Sequence, residues 1–569
     1  MRGAGAWGRG PRLAAFAAGR HYNPCAAWSA STAAPKRDLA SEGGKGLELK
    51  PLLGLLGVLL AALTAEFNDG VTSTALIDVR GGLGLSQDPG TWLSSLFATG
   101  QVVGMSMATF WAVTVSIRHW LLFVIALTCI STVSIPFTSN LGLLYGLRFL
   151  QGLSSGFTIP LLLTVALQVL PPPVRLYGLS AYGLTATFGP NISTALAALW
   201  TELVGWQFVF FEALPLCALS GLLIWYGVAQ QPPRLERIRQ FDWRGALLVV
   251  VGFGAFTTML EQGDRLDWFN SKFICVLALV SAVALPLLVL NDLTAELPLY
   301  RFSLLKQRNF LFGLTTLFTF LLLSQSASTI PLRYLQQVAG FRPEQSYVVT
   351  VLIAVPQFLL LPAIAFLLDF ERVDARWVLF SGIVCVAADC IGNSFLTSVW
   401  DAGTFLLWQG FQALGAPLIV MPLLMMSVNT IKDPADGPFA STLVNTMRGV
   451  AEPVGVWMVE LIVHWRGALH YNRIVDQSGQ GSFNVLQQHG AGSIAAFRST
   501  VQAQATVLTL SDAFLVIACL AAVLMVVLAV LPVRTYPPPH RRRAGIGPQD
   551  GRRREGRRTA EGQAWQAAA

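Results

Sequence analysis

Charge is what this chain has least of: 12% of its 569 residues are Asp, Glu, Lys or Arg, against roughly 25% in ordinary soluble domains. With 54% hydrophobic residues and a mean hydropathy of +0.56, that scarcity all but excludes a soluble enzyme. Seven cysteines do not make a disulfide scaffold. Cys129, Cys217, Cys275, Cys385, Cys390 and Cys519 fall inside apolar runs, only Cys25 lies outside one, and none has zinc spacing. Histidine is equally sparse, and His464, His470 and His489 match no metal template, so they read as surface or interfacial residues. There is no phosphate loop, no Gly-x-Ser-x-Gly elbow and no His/Cys cluster. The expectation is therefore a protein that is not an enzyme, needs no cofactor or metal, and takes its energy from a gradient. The one apolar patch near the N-terminus, Leu13 to Ala18, is shorter than a signal-peptide h-region and is followed by Arg20 and His21.

Long apolar runs are what the chain has instead. A run of about 20 residues crosses a hydrocarbon core of roughly 30 Å as a helix. Such runs cover approximately 52–75, 92–114, 119–137, 141–167, 177–200, 206–229, 243–261, 272–291, 309–330, 345–368, 377–398, 403–428, 439–464 and 512–533. The expected fold is thus all-α and integral to the membrane, with about fourteen spans and short loops. The formal charge of +8 is concentrated in the tails: residues 1–50 carry +5 and 534–569 carry +6, which leaves the body near −3. The stretch from Pro537 lacks the apolar residues to build a core, the N-terminal tail reads as disordered or as the product of a misassigned start, and a basic segment beside a span is more simply held by cytoplasm and anionic lipid than by nucleic acid. One set of loops carries Arg118, Arg175, Arg234, Arg237, Arg239, Arg244, Arg301, Lys306, Arg308, Arg372 and Arg376. The alternate set carries Glu202, Glu261, Asp264, Asp267 and Asp401. By the positive-inside rule both termini are cytoplasmic, which requires an even number of spans.

A weak internal echo divides the body. Span 4 has Gly156, Pro160 and then Pro173; span 12 has Gly415, Pro422 and then Pro434 at nearly the same offset. Two six-helix halves related by an axis along the membrane normal would hold substrate between them. The organisation read from this is a basic tail (1–50), a first six-helix bundle (51–230), a linker with two extra spans (231–295), a second six-helix bundle (296–533) and an Arg-rich tail (534–569).

Ionisable groups inside spans are expensive, about 2.5–3.5 kcal/mol on insertion scales, and are functional candidates by default. Span 1 holds Glu66 and Asp69 in the polar run EFNDG. Three residues apart on one helix, two carboxylates in low dielectric do not both ionise cheaply, so one is expected to hold a proton near neutrality. Span 4 holds Arg148, which must face the interior and could keep a carboxylate partner there. Span 13 holds Arg448 and Glu452, four apart, then Pro453 and Glu460; pairing on one face or with other helices is open. Glu212 and Asp389 are weaker candidates. Gly178, Gly183, Gly189 and Pro190 suit span 5 to a bent, closely packed role, a seal or pivot.

At these residues the chain resembles the major facilitator superfamily, in its fourteen-span drug:proton antiporter branch of the EmrB/QacA type. The resemblance rests on LYGLRFLQG from Leu144 to Gly152, on Gly183 to Pro190 in span 5, on ASTLVNTMRG from Ala440 to Gly449, and on LSDAF from Leu510 to Phe514. The span-4 run looks like the motif whose arginine, here Arg148, is tied to proton coupling; Gly183, Gly189 and Pro190 look like the antiporter motif. Departures are equally specific. Ser193 and Thr194 stand where the family has two glycines, Asn68 stands where it has a span-1 aspartate, and the loop after span 2, FWAVTVSIRH from Phe110, has no acid where the family carries a gating signature.

The resemblance implies an inner (plasma) membrane transporter that exports amphiphilic or aromatic organic compounds in exchange for protons, by alternating access. Glu66, Asp69, Arg148, Arg448 and Glu452 would carry the proton-coupling pathway; Asn68, Gln151, Tyr182 and Asn445 would line the substrate cavity. The alternatives are a transporter for one metabolite, a component of a tripartite pump with a periplasmic adaptor, and a non-transporting membrane sensor or scaffold descended from a carrier.

Overall fold

The computed structural model describes residues 49–530 apart from 172–173, 296–297, 371, 430–436 and 490. The tails read at 1–50 and 534–569, all but Leu49 and Lys50, and the echo's Pro173 and Pro434 lie outside the described residues, as does the side chain of His489. Every secondary-structure element among the described residues is helical. The first six spans are formed by α1 (Leu49–Thr74), the short α2 (Leu76–Leu83), α3 (Gln87–Val115), α4 (Ile117–Ser134), α5 (Leu141–Val169), α6 (Arg175–Thr187), α7 (Gly189–Leu203), α8 (Phe208–Phe211) and α9 (Ala213–Gly227). Next come α10 (Trp243–Gly263) and α11 (Lys272–Thr294), then α12 (Arg308–Leu323), α13 (Thr329–Gln337), α14 (Tyr347–Ala354), α15 (Gln357–Leu368), α16 (Ala375–Asn393), α17 (Ala402–Asn429), α18 (Gly437–His489) and α19 (Ala491–Val530).

Local chemistry sets many of the ends. The Asn140 side chain accepts from the Leu143 amide (3.1 Å) to open α5, and Asp242 accepts from Gly245 (3.0 Å) to open α10; each satisfies one of the backbone donors that the first turn leaves free. Span 5 is broken at Phe188, where Gly189 and Pro190 follow, because proline brings no amide to the ladder and crowds the preceding turn. Span 10 is broken in the same way between α14 and α15, at Val355 and Pro356.

Twelve helices among the described residues are long and apolar enough to cross a membrane, against the fourteen spans expected. The two missing from that tally are span 5, whose Gly, Ser, Thr, Asn and Pro residues dilute its hydropathy, and the membrane part of span 13, where Arg448, Glu452 and Glu460 interrupt the apolar run. Helices occupy both places. A larger difference lies after span 13. The apolar runs predict an end near 464 and a new start near 512, but α18 continues to His489 and α19 begins at Ala491. Hydropathy marks where lipid ends; it does not mark where a polar, alanine-rich helix stops.

Within the first six spans, α3 packs on α5 and α1 on α9; in the last six, α16 packs on α17 and α18 on α19. The closest of these approaches is backbone to backbone: a Cβ built on Gly152 would overlap the Phe97 carbonyl, and one on Gly156 would overlap that of Gln101. Small residues permit this contact, and it is what lets a side chain on α5 reach the main chain of α3. The first and last six spans meet where α3 and α5 touch α18, and where α6 and α7 touch α14, α15 and α17. Outward faces are apolar, with Phe123, Leu222, Leu279, Leu359 and Val526 exposed, as lipid rather than water requires.

Candidate functional site

The site is centred on Arg448, whose side chain is 1% exposed about three turns into α18. Its guanidinium donates to Glu66 Oε1 of α1 (2.7 Å), to Glu452 Oε1 one turn along its own helix (3.3 Å), and to both the hydroxyl (2.9 Å) and the carbonyl (3.0 Å) of Thr185 on α6. Both pairings that the spacing left open are therefore made at once. The two carboxylates differ: Glu66 is 6% exposed and the Glu452 side chain 32%. One is locked inside and the other is partly exposed, so the arginine is shared between a buried acid and an accessible one. An ion pair taken out of water is held together only by good geometry and full hydrogen bonding, and four bonds to one guanidinium provide that.

Towards the face where α1 begins, here called the tail side, α18 is bonded to the first six spans again. Tyr182 donates to Asn445 Oδ1 (2.9 Å), Asn445 Nδ2 donates to the Ser441 carbonyl (2.8 Å), and the Ser441 hydroxyl donates to the Pro160 carbonyl of α5 (3.1 Å). Tyr182 and Asn445, expected in a substrate cavity, are thus buried and bonded to each other across the two sets of spans.

A second buried cation sits on α5. Arg148 is fully buried; Nε donates to the Leu93 carbonyl of α3 (3.0 Å), and Nη1 donates to Gln151 Oε1 (2.6 Å) and to the Asn68 carbonyl of α1 (3.4 Å). Gln151 in turn donates to Thr132 (2.8 Å), and the guanidinium lies 4.9 Å from the Phe97 ring centroid. Arg148 makes no ion pair among the described residues, and Nη2 has no acceptor. Main-chain carbonyls brought near by the α3–α5 contact accept from it. Asp69 is half-buried and makes no hydrogen bond or ion pair among the described residues. Asn68 and Gln151 are both buried, and Asn68 Nδ2 is unbonded.

The other acids are occupied locally. Glu460 pairs with Arg333 (2.6 Å), Glu212 accepts from the Trp200 indole, and Asp389 accepts from Asn393 (2.7 Å). His470 and Arg466 share Asp512 (both 2.6 Å), a link between α18 and α19. Gly183 packs against Leu361 and Val420, and Gly189 against Glu66. Glu261, read as a loop acid, belongs to α10, because the helix continues to Gly263 beyond the end of the apolar run. Thr185 carried no signal in the sequence beyond its place between Gly183 and Gly189.

The region read as a loop after span 2 is a single residue, Ser116, with φ 98°. Around it, Trp111 stacks on Trp120 (5.6 Å, 15°), and Phe241 from the start of the linker packs on Phe110 (4.5 Å) and Trp111 (5.3 Å). An aromatic cluster therefore holds this corner, whose sequence carries no acid.

The sequence matches the Major Facilitator Superfamily profile over residues 58–456. Among curated proteins it is similar to the probable multidrug resistance protein EmrY of Escherichia coli, 24% identical over 84% of this chain and 94% of that one. It is also similar to the multidrug export protein EmrB of the same organism (25%; 75% and 84%) and to the fatty acid resistance protein FarB of Neisseria gonorrhoeae (24%; 84% and 95%). Among solved structures it shares its fold with a POT family transporter in complex with a thioalcohol-conjugated peptide (TM-score 0.54, 12% identity, 84% of this chain and 96% of that one). The proton:xylose symporter XylE gives a TM-score of 0.51 (13%; 86% and 98%).

Proposed function

The chain belongs to the Major Facilitator Superfamily, and from that premise we propose that it is a secondary active exporter of amphiphilic or aromatic organic compounds, driven by exchange with protons. The observation that carries this reading is Arg448 held between Glu66 and Glu452 where the first and last six spans meet. Such a knot has two arrangements. With both acids charged it ties α1 and α6 to α18; when an acid takes a proton, the attraction weakens and the two sets of spans are free to rock apart, which is what alternating access needs. Asp69, half-buried and unpaired, is a group for an organic cation or a proton to meet. The names of the curated relatives, multidrug export and fatty acid resistance, support small amphiphiles as cargo. On this reading the tail side is cytoplasmic at the inner (plasma) membrane. The extended ends of α18 and α19 then project from the opposite face, where an adaptor protein would dock.

The test is proton movement in proteoliposomes under an imposed pH gradient, on challenge with lipophilic cations, weak acids and phenolics. Wild type is compared with Glu66→Gln, Asp69→Asn and Arg148→Ala. Compound-dependent proton flux that the substitutions abolish is the expected result. Absence of flux with every compound, in a protein that still binds ligand, would replace the exporter by a sensor or scaffold; the missing acid in the loop after span 2 is the observation that favours that second reading.

A further inference from the structure

Two sets of spans that rock against each other leave two seams open to lipid, and here the seams are built differently. One runs between α3 and α18 and is covered by α10. The Thr99 and Thr258 hydroxyls are bonded (3.1 Å), Gln262 donates to Ser95 (2.6 Å), and Arg265 pairs with Asp88 (3.2 Å). At the tail side the Arg234 amide donates to the Thr114 carbonyl (2.8 Å). The linker and α10 are thus bonded to the whole length of α3. Against the second set, α10 packs on α18, and the turn after α10 sets Trp268 on Trp457 (6.0 Å). A cover bonded to α3 near both ends of that helix moves with α3 when α18 rocks, and keeps this seam covered.

The opposite seam has no such cover. There α6 packs on α15 and α7 on α14, so that two broken spans lie side by side with their breaks at one level. Phe188, the residue at the first break, meets Phe358, two residues past Pro356 at the second, edge to face at 4.5 Å. Phe358 is 53% exposed. Directly behind the rings is the charged site. Gly189 lies against the Glu66 side chain, and Thr185, one turn from Phe188, bonds Arg448. Gln357, beside Phe358, is fully buried with Oε1 unbonded. Broken helices shift more easily than continuous ones because part of their ladder is already lost, and an apolar pair of rings parts in lipid without exposing a charge.

We propose that Phe188 and Phe358 form a lateral gate through which amphiphilic substrate dissolved in the bilayer reaches the Glu66–Arg448 site, while α10 keeps the other seam shut. This rests on the exporter reading above. Cysteine is placed at the gate (Phe358→Cys) or on the lipid face of α10 (Leu247→Cys; Leu247 is 64% exposed), with Cys25, Cys275 and Cys519 replaced by serine. The full chain is reconstituted and labelled with pyrenyl maleimide, and initial rates of proton-driven export are measured for tetraphenylphosphonium and for the less lipophilic triphenylmethylphosphonium. Label at 358 is expected to slow tetraphenylphosphonium at least tenfold and triphenylmethylphosphonium distinctly less, while label at 247 changes either rate less than twofold. Equal loss of both cations at 358 means that rocking is jammed and overturns the gate. No loss at 358, or equal loss at 247, overturns it as well. If the unlabelled proteins export neither cation while binding them, the exporter reading has failed and the gate falls with it.

Discussion

Replacing Arg448 by methionine keeps much of the side-chain volume and removes the one cation that four hydrogen bonds hold between α1, α6 and α18. Its consequence is not confined to those bonds. Glu66, 6% exposed, is left as a buried carboxylate with no cation, and removing one partner of a buried pair costs about 3–5 kcal/mol. Glu452 is partly exposed and is freed to turn to solvent, so it adds little. The expected destabilisation of Arg448→Met is therefore about 3 kcal/mol. Glu66→Gln in the same chain removes the stranded charge, and contacting pairs of this kind couple by about 0.5–3 kcal/mol. The double variant is thus expected to regain 1–2 kcal/mol, again on the order of the coupling range. Denaturant unfolding of the four proteins in mixed micelles, followed by tryptophan fluorescence, measures the cycle. A double variant no more stable than Arg448→Met would refute the reasoning, because it would mean that Glu66 is not the charge Arg448 neutralises.

Three further outcomes follow from the packing and the caps. Gly152→Val drives a side chain into the Phe97 carbonyl and is expected to abolish the monodisperse peak in size-exclusion chromatography, whereas Gly146→Ala, with open space around it, leaves the profile unchanged. Arg148→Lys cannot reach the Leu93 carbonyl, Gln151 and the Asn68 carbonyl from one ammonium group; flux should fall at least tenfold (about 1.4 kcal/mol) in a protein that still folds, and wild-type flux would show that the guanidinium geometry is dispensable. Asp401, ahead of α17, accepts from the Thr404 hydroxyl (2.7 Å) and amide (2.9 Å), which hold its carboxyl below the usual carboxylate range. A depressed value means that the cap is complete at neutral pH and is lost as pH falls through that value. Amide exchange at residues 403–405 should therefore quicken below the usual carboxylate range in wild type, and not in Asp401→Asn.

The membrane class and the helix order were legible from apolar runs, and Glu66, Arg448 and Glu452 from the cost of charge inside them. Spacing along α18 showed that Arg448 reaches Glu452; nothing in one sequence shows which distant helix brings Glu66 to the same guanidinium. Arg148 marks the limit more sharply. A buried cation suggests an acid as one possible partner, yet Gly152 and Gly156 bring α3 so near that main-chain carbonyls serve. Backbone acceptors belong to every residue and leave no mark in composition. The reach of α18 past 464 was hidden for a related reason: helix continuity depends on the absence of breakers, while hydropathy reports only the surrounding solvent.

That reach has a mechanical consequence. From Arg448 to His489 the chain is one unbroken α-helix, about 60 Å long at roughly 1.5 Å per residue, with Pro453 in its first turns beyond the arginine. Such a helix is a lever with its fulcrum at the charged site. A tilt of about 5° there swings the far end by about 5 Å, on the order of a full helical turn's rise. Events among buried side chains in the bilayer are thereby written, magnified, at a tip well clear of it, within reach of a distance probe that never enters the membrane.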